Sequence, residues 1–268
     1  MLYQGKKILI TGATSGLGKF MALKYAKHGG TIIGIGRDKM KINSLESELK
    51  TINNNNHIIK SIDVSSNLLM SQFAVELGRK NNLPDIVIAN AAGNFICPIE
   101  KLSFNGWNRI MEIVLNGMYN TYIPIGKQLN LKKKPGVFLN ISTTYAETGT
   151  VGLIPSAVAK SGCDAMMKSL TTEWSKYDHR FVGIAPGPIA ESGGANKLDP
   201  LGLFQKFNKI HNPRKRMCHP NEIADLACFL TSSQADYING CIVRIDGGEV
   251  NANSGEFNFL RYIPFSGF

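Results

Sequence analysis

Seven short apolar runs, at 7–11, 31–36, 57–63, 85–90, 137–142, 181–185 and 241–246, punctuate the chain. Each is apolar nearly throughout instead of alternating, the pattern of a strand covered on both faces. Between them lie amphipathic stretches at 18–28, 39–53, 66–81, 104–131, 156–177 and 221–231. Strands buried on both faces and separated by helices require parallel pairing with right-handed crossovers. The expected fold is α/β: a doubly wound, Rossmann-type parallel sheet of about seven strands with helices on both faces. Nothing in the 268 residues reads as a repeat or a dividing linker, so one domain is expected over 1–268.

The composition excludes several classes. Hydrophobic residues make up 43% and charged residues 19%, as in a soluble globular protein, and no apolar run approaches the ~20 residues that span a bilayer. Residues 1–7 lead straight into the first strand, so neither a signal peptide nor a transit peptide is expected within the chain. The terminal Ser266-Gly267-Phe268 is not a peroxisomal address. The five cysteines are scattered without paired spacing, which argues against a disulfide framework or a metal site and for a reducing compartment. The net charge of +10 is spread along the chain, and its clusters at 132–134 and 214–216 are short and lack interleaved aromatics. Nucleic acid is therefore not expected as a partner. A polyanionic small ligand is a better use for part of that charge.

The first strand runs into Thr11-Gly12-Ala13-Thr14-Ser15-Gly16-Leu17-Gly18, which opens the first helix. In that context the glycines read as a dinucleotide loop. Gly12 permits the turn, Gly16 lets backbone N–H groups approach a pyrophosphate, and Gly18 lets the helix pack closely. The helix N-terminus adds a favourable dipole. Strand two ends in Gly36-Arg37, where a carboxylate would select a ribose 2′-OH and an arginine suits a 2′-phosphate. Arg37 thus favours NADPH, with Lys39 and Lys41 as possible helpers and Asp38 read as the cap of the next helix. Asp63-Val64, ending strand three, is placed for the adenine, and Asn90-Ala91, ending strand four, for the nicotinamide ribose.

At the same ends of the strands sit the candidates for chemistry. Asn94 follows strand four, Tyr145 lies three residues past strand five, and Ser156 and Lys160 share one face of the next helix at i, i+4 spacing. Thr143 and Thr144 are near enough to touch a substrate. Asn116, set in Ile113-Val114-Leu115, reads as an internal hydrogen-bonding post. Ser156, following Pro155, also reads as a helix N-cap.

Thr11–Gly18, Asn90–Gly93, Asn116, Lys160 and Pro186-Gly187-Pro188 together resemble the short-chain dehydrogenase/reductase superfamily. The residues at 90–95, 145–149, 155–160 and 254–258 resemble its NADPH-dependent 2,4-dienoyl-CoA reductases of the mitochondrial type, with similarity from about residue 5 to 261. The resemblance implies that Tyr145 and Asn94 bind a thioester carbonyl, with Thr143 beside them. Ser156 and Lys160 would hold the nicotinamide and its ribose, and Pro186, Gly187 and Ile189 would line the cofactor. It implies hydride transfer to C5 of a 2,4-dienoyl-CoA, giving a trans-3-enoyl-CoA in β-oxidation of unsaturated fatty acids. It further implies a homotetramer, a lid at 190–213 and, most often, the mitochondrial matrix. A ketone reductase of the superfamily carries tyrosine where this chain has Ser156; a serine hydroxyl is a far weaker proton donor than a phenol, whose pKa is roughly 10. Other short-chain reductases and a silent NADPH-binding protein are the competing readings. Lys197, Arg214, Lys215, Arg216 and Arg244 are candidates for the acyl-CoA entrance.

Overall fold

The computed structural model describes residues 2–190 and 203–253. Seven strands pair entirely in parallel in the order β3-β2-β1-β4-β5-β6-β7. They are β1 (Lys7–Thr11), β2 (Thr31–Gly36), β3 (Ile58–Ser61), β4 (Ile86–Ala89), β5 (Val137–Ile141), β6 (Arg180–Pro186) and β7 (Cys241–Ile245). Within the strands alternate side chains serve opposite faces: Ile8 and Ile10 join one core, Leu9 the other; Phe138 faces one side and Leu139 the other. That two-sided burial is why the strands read as continuous apolar runs.

Helices α1 (Gly16–Lys27), α2 (Lys39–Ile52) and α9 (Pro220–Thr231) cover one face. The other is covered by α3 (Asn67–Arg79), α4 (Phe104–Met111), α5 (Gly117–Leu131) and α7 (Ile154–Glu173). Shorter pieces complete the chain: α6 (Tyr145–Thr148), α8 (Leu203–His211) and α10 (Glu249–Asn253). Among the described residues no helix is long and apolar enough to cross a membrane.

The helices follow local chemistry. Asp38 caps α2 by accepting from the N–H groups of Met40 and Lys41, and Ser66 and Ser103 cap α3 and α4. Asn53 and Asn55, in the polar tract after α2, bind the carbonyls of Ala26, Gly29 and Gly30, so the tract fastens α1 to the β3 edge.

Three boundaries differ from the periodic pattern. The stretch 104–131 is not one α-helix: a π turn, Glu112–Asn116, separates α4 from α5. Helix α7 starts at Ile154 with Leu153 as its N-cap, so Ser156 lies inside the first turn and does not cap it. A one-turn helix, α6, carries Tyr145. The first of these corrects the reading of Asn116. The wider turn leaves that side chain exposed, with no side-chain hydrogen bond among the described residues, and the buried post is Asn120, which donates to Val64 and Ser65 carbonyls.

Beneath β5 and β6 an aromatic cluster is packed too tightly for change. Phe138 stacks on Phe181 with centroids 4.8 Å apart, and a Cβ on Gly126 would meet the Trp174 ring at 2.0 Å. His179 completes this cluster with its side chain almost fully buried; Nδ1 accepts the Gly136 N–H, and Nε2 lies 2.7 Å from Asn130 Oδ1. Burial pushes the imidazole down to about 4, since a second ring proton would face the Gly136 N–H. A depressed histidine contributes stability that is full above its ordinary value of about 6.5 and is lost as pH falls towards 4. That loss should be about 3 kcal/mol. Urea denaturation at neutral and acid pH is expected to show a flatter pH dependence for His179→Gln than for the natural chain.

Candidate active site

The sheet order places a topological switch point between β1 and β4, where successive crossovers leave in opposite directions. Thr11 closes its floor. Its Oγ1 accepts the N–H groups of Asn90 and Ala91, each at 3.0 Å, while Asn90 Nδ2 donates to the Thr11 carbonyl at 2.9 Å. Above this floor Gly12 and Gly16 adopt left-handed φ of 66° and 49°, so the turn needs residues without a Cβ. Gly18 packs directly beneath: a Cβ there would lie 2.2 Å from the Gly12 carbonyl.

The residues fit a dinucleotide. Ser15 gives α1 no side-chain cap and the first turn holds no acidic residue, so its N-terminal N–H groups remain available to an anion. At the end of β2, Arg37 is exposed and Asp38 is engaged in capping α2. Asp63 Oδ1 accepts from Ser65 N and Oγ, and Oδ2 lies 3.6 Å from Arg37 and 3.4 Å from Arg109. Burial raises the Asp63 carboxyl, but the Ser65 hydrogen bonds and the two guanidinium groups outweigh it and hold it below the usual range. Val64 is buried beneath the π turn, close to Gly117.

At the ends of β4 and β5 the fold brings three predicted residues together. Asn94 Nδ2 donates to the Tyr145 hydroxyl at 3.3 Å, and that hydroxyl lies 3.2 Å from Ser156 Oγ. The Asn94 carbonyl oxygen accepts Phe95 N–H at 3.0 Å, which orients the amide so that its nitrogen faces the phenol. Tyr145 and Asn94 are half-buried and Ser156 is buried, so the chain of donors runs from the interior to the cleft. Thr143 and Thr144 flank Tyr145, and the Thr144 N–H donates to the Pro186 carbonyl, bringing the Pro186-Gly187 turn alongside. Ile189 bridges to Cys218 on the far side of that turn.

Lys160 is buried, one turn along α7 from Ser156, and its ammonium donates to the Ile141 carbonyl. Burial lowers the Lys160 pKa, opposed by the nearby Cys163 and Asp164. A residue not singled out in the sequence joins here. Asp164 accepts from Asn140 Nδ2 at 2.7 Å and from Ser142 Oγ at 2.6 Å. Its signal was present, since 156, 160 and 164 repeat at i, i+4, i+8 on one helical face. Burial raises the Asp164 carboxyl, opposed by Ser142 and Lys160.

The proposed entrance cations divide. Arg216 makes two 2.7 Å contacts to Glu222 and thereby braces the N-terminus of α9, and Arg244 pairs with Glu147 at 2.9 Å. Both are tied to carboxylates in the fold and so fit that role poorly. Arg214 lines a hollow of about 200 Å³ with Pro188 and Asp246, to which the paired Arg216 and Glu222 also contribute. Lys197, residues 191–202 of the 190–213 lid and the 254–258 segment lie outside the described residues. No group of three or more metal-ligating side chains occurs among the described residues.

Comparison with known proteins places this arrangement. A family model described as enoyl-(acyl carrier protein) reductase matches residues 12–249. A Bacillus subtilis (strain 168) protein named "Probable 2,4-dienoyl-CoA reductase [(2E)-enoyl-CoA-producing]" is 39% identical over 247 residues, covering 91% of this chain and 96% of its own. A Caenorhabditis elegans protein named as a probable (3E)-enoyl-CoA-producing 2,4-dienoyl-CoA reductase is 34% identical over 256 residues, covering 94% and 83%. A crystal structure of a short chain dehydrogenase from Bacillus anthracis str. 'Ames Ancestor' superposes with a TM-score of 0.84 at 40% identity, covering 91% and 96%.

The bonds of Asp164 set a stability test. Asp164→Ala leaves Asn140 Nδ2 and Ser142 Oγ without their acceptor and should cost about 2–4 kcal/mol, whereas Ser142→Ala should cost about 1 kcal/mol. Chemical denaturation of the two variants checks the difference.

Proposed function

Because this chain belongs to the short-chain dehydrogenase/reductase family, and is therefore an oxidoreductase, we propose that it reduces 2,4-dienoyl-CoA thioesters with NADPH to trans-3-enoyl-CoA. One observation carries the reading: a phenol and a carboxamide, Tyr145 and Asn94, stand in hydrogen-bonding contact in the cleft, with serine at the usual tyrosine position. A ketone reductase must protonate the oxygen attached to the carbon that receives hydride. Reduction of a conjugated thioester instead builds negative charge several bonds away, so its donors belong further from the nicotinamide.

When bound, NADPH supplies the hydride that C5 of the dienoyl chain accepts. The remaining chemistry belongs to the protein. Tyr145 and Asn94 donate to the thioester oxygen as charge reaches it through the conjugated system. Ser156 holds the phenol from behind, and Lys160, fixed on the Ile141 carbonyl, holds the ribose end of the site. The enolate carbon C2 then takes a proton from water, leaving the double bond between C3 and C4. The choice of NADPH is supported by Arg37 and by Asp38, whose carboxylate is engaged by the helix it caps. The acyl-CoA substrate is supported by the names of the Bacillus subtilis and Caenorhabditis elegans relatives.

Those two names differ in the product isomer. Protonation at C2 gives the 3E product and protonation at C4 the 2E product. The Asn94 amide and the Ser156 hydroxyl both lie against the Tyr145 hydroxyl, which supports a donor set for the thioester oxygen and leaves the proton transfer to carbon to solvent. Reduction in deuterium oxide followed by NMR separates the two: deuterium at C2 is expected, and deuterium at C4 with a 2E double bond would overturn that part of the proposal.

Turnover is followed by NADPH absorbance with 2,4-hexadienoyl-CoA, crotonyl-CoA and acetoacetyl-CoA in parallel, and only the first should be consumed. Tyr145→Phe and Asn94→Ala should each lower kcat by about 10²–10³, with NADPH binding little changed. Lys160→Ala should weaken NADPH binding as well. Equal loss of NADPH affinity in Tyr145→Phe and Lys160→Ala would contradict this division of roles.

A further inference from the structure

Arg37 shares its carboxylate. Asp63 Oδ2 is 3.6 Å from Arg37 Nη1 and 3.4 Å from Arg109 Nη2, so two guanidinium groups from distant segments meet on one oxygen. The other oxygen is taken by Ser65. Arg109 also lies 3.5 Å from Glu112 across one turn, and the four charges balance. We propose that Arg109 is a specificity-determining residue of the cofactor site: it neutralises Asp63 so that Arg37 can turn to a 2′-phosphate. The inference rests on the reading of the cofactor as NADPH.

A 2′-phosphate entering beside Arg37 competes with Asp63 for the same guanidinium. With Arg37 as the sole counter-ion, its departure would leave a half-buried carboxylate unpaired beside an incoming anion, which is unfavourable on both counts. Arg109 removes both penalties, because Asp63 keeps a partner at 3.4 Å whichever way Arg37 faces. A ligand with a free 2′-OH makes no demand on Arg37 and gains nothing from the second cation. Removal of Arg109 should therefore act on phosphate discrimination and leave adenosine recognition alone. A surface ion pair of no consequence would alter neither.

The test uses the full chain and fragments without nicotinamide, namely 2′,5′-ADP and 5′-AMP, titrated by calorimetry. The natural chain should prefer 2′,5′-ADP, and Arg37→Gln should abolish most of that preference. Arg109→Gln should reduce it on the order of fivefold at low salt, through weaker 2′,5′-ADP binding with 5′-AMP affinity unchanged. The effect should shrink as salt is raised. A double variant no worse than Arg37→Gln alone would show that Arg109 acts through Arg37. An unchanged preference in Arg109→Gln, with Arg37→Gln still losing it, overturns the inference and leaves the NADPH reading intact. Equal weakening of both fragments overturns it too, by making Arg109 a support of the adenosine pocket in general. A natural chain that binds both fragments equally sinks the NADPH reading and the inference with it.

Discussion

The grip of α7 on the end of β5 fixes the rest of the site. Lys160 holds the Ile141 carbonyl, and one turn further on Asp164 holds the side chains of Asn140 and Ser142. Three consecutive residues, the last two of β5 and the one that follows, are thus tied to two points on one helical face. This sets both the height and the rotation of the helix, and hence where Ser156 stands. Tyr145 follows four residues after the end of β5, on a single helical turn whose Ala146 carbonyl accepts from Ser161 of α7. The phenol and the serine hydroxyl therefore meet because both are measured from one clamp. The clamp requires burying an ammonium group, and the half-buried carboxylate of Asp164 nearby makes that burial tolerable.

The other half of the cleft follows a different principle. Its shape comes from missing side chains and from backbone groups: glycines at 12, 16 and 18, a threonine that ties two strands across the switch point, and an uncapped helix N-terminus. Specificity there is a matter of charge placement near the surface, where individual pairs are weak. On the proposed reading, selectivity at the 2′ position would depend on how the local carboxylates are occupied, Asp38 by its helix and Asp63 by two guanidinium groups.

This division explains what the sequence made legible. The seven strands follow from apolar runs whose period is set by burial, and all seven appear close to their expected positions. The glycine turn after β1 and the capping role of Asp38 are local, so residues within a few positions specify them. The apolar neighbours of Asn116 suggest an internal position, but a π turn shifts the helical phase there, and no change of composition marks such a turn. Pro155 before Ser156 has the pattern of a capped helix start, yet the helix begins two residues before Ser156. Arg109 and Asp63 are 46 positions apart and meet only in the folded chain, and Arg244 finds Glu147 across 97. Ion pairs of that kind carry no sequence signature.

Relocating a phenol also constrains what surrounds it. At position 156 a tyrosine would rise from a long, tightly packed helix; Tyr145 rises instead from α6, held at its ends by Gly149 and the Pro186 carbonyl. A side chain on so short an element needs outside support. It receives three supports: Asn94 and Ser156 at the hydroxyl, and the Glu147–Arg244 pair within the same turn. Serine at 156 is thus more than a tyrosine lost. A larger residue there would occupy the space behind the displaced phenol, and an apolar one would leave its hydroxyl unsupported. The serine at 156 and the tyrosine at 145 make sense as a pair, and under the proposed function both would answer one chemical requirement: a donor set out from the point of hydride transfer.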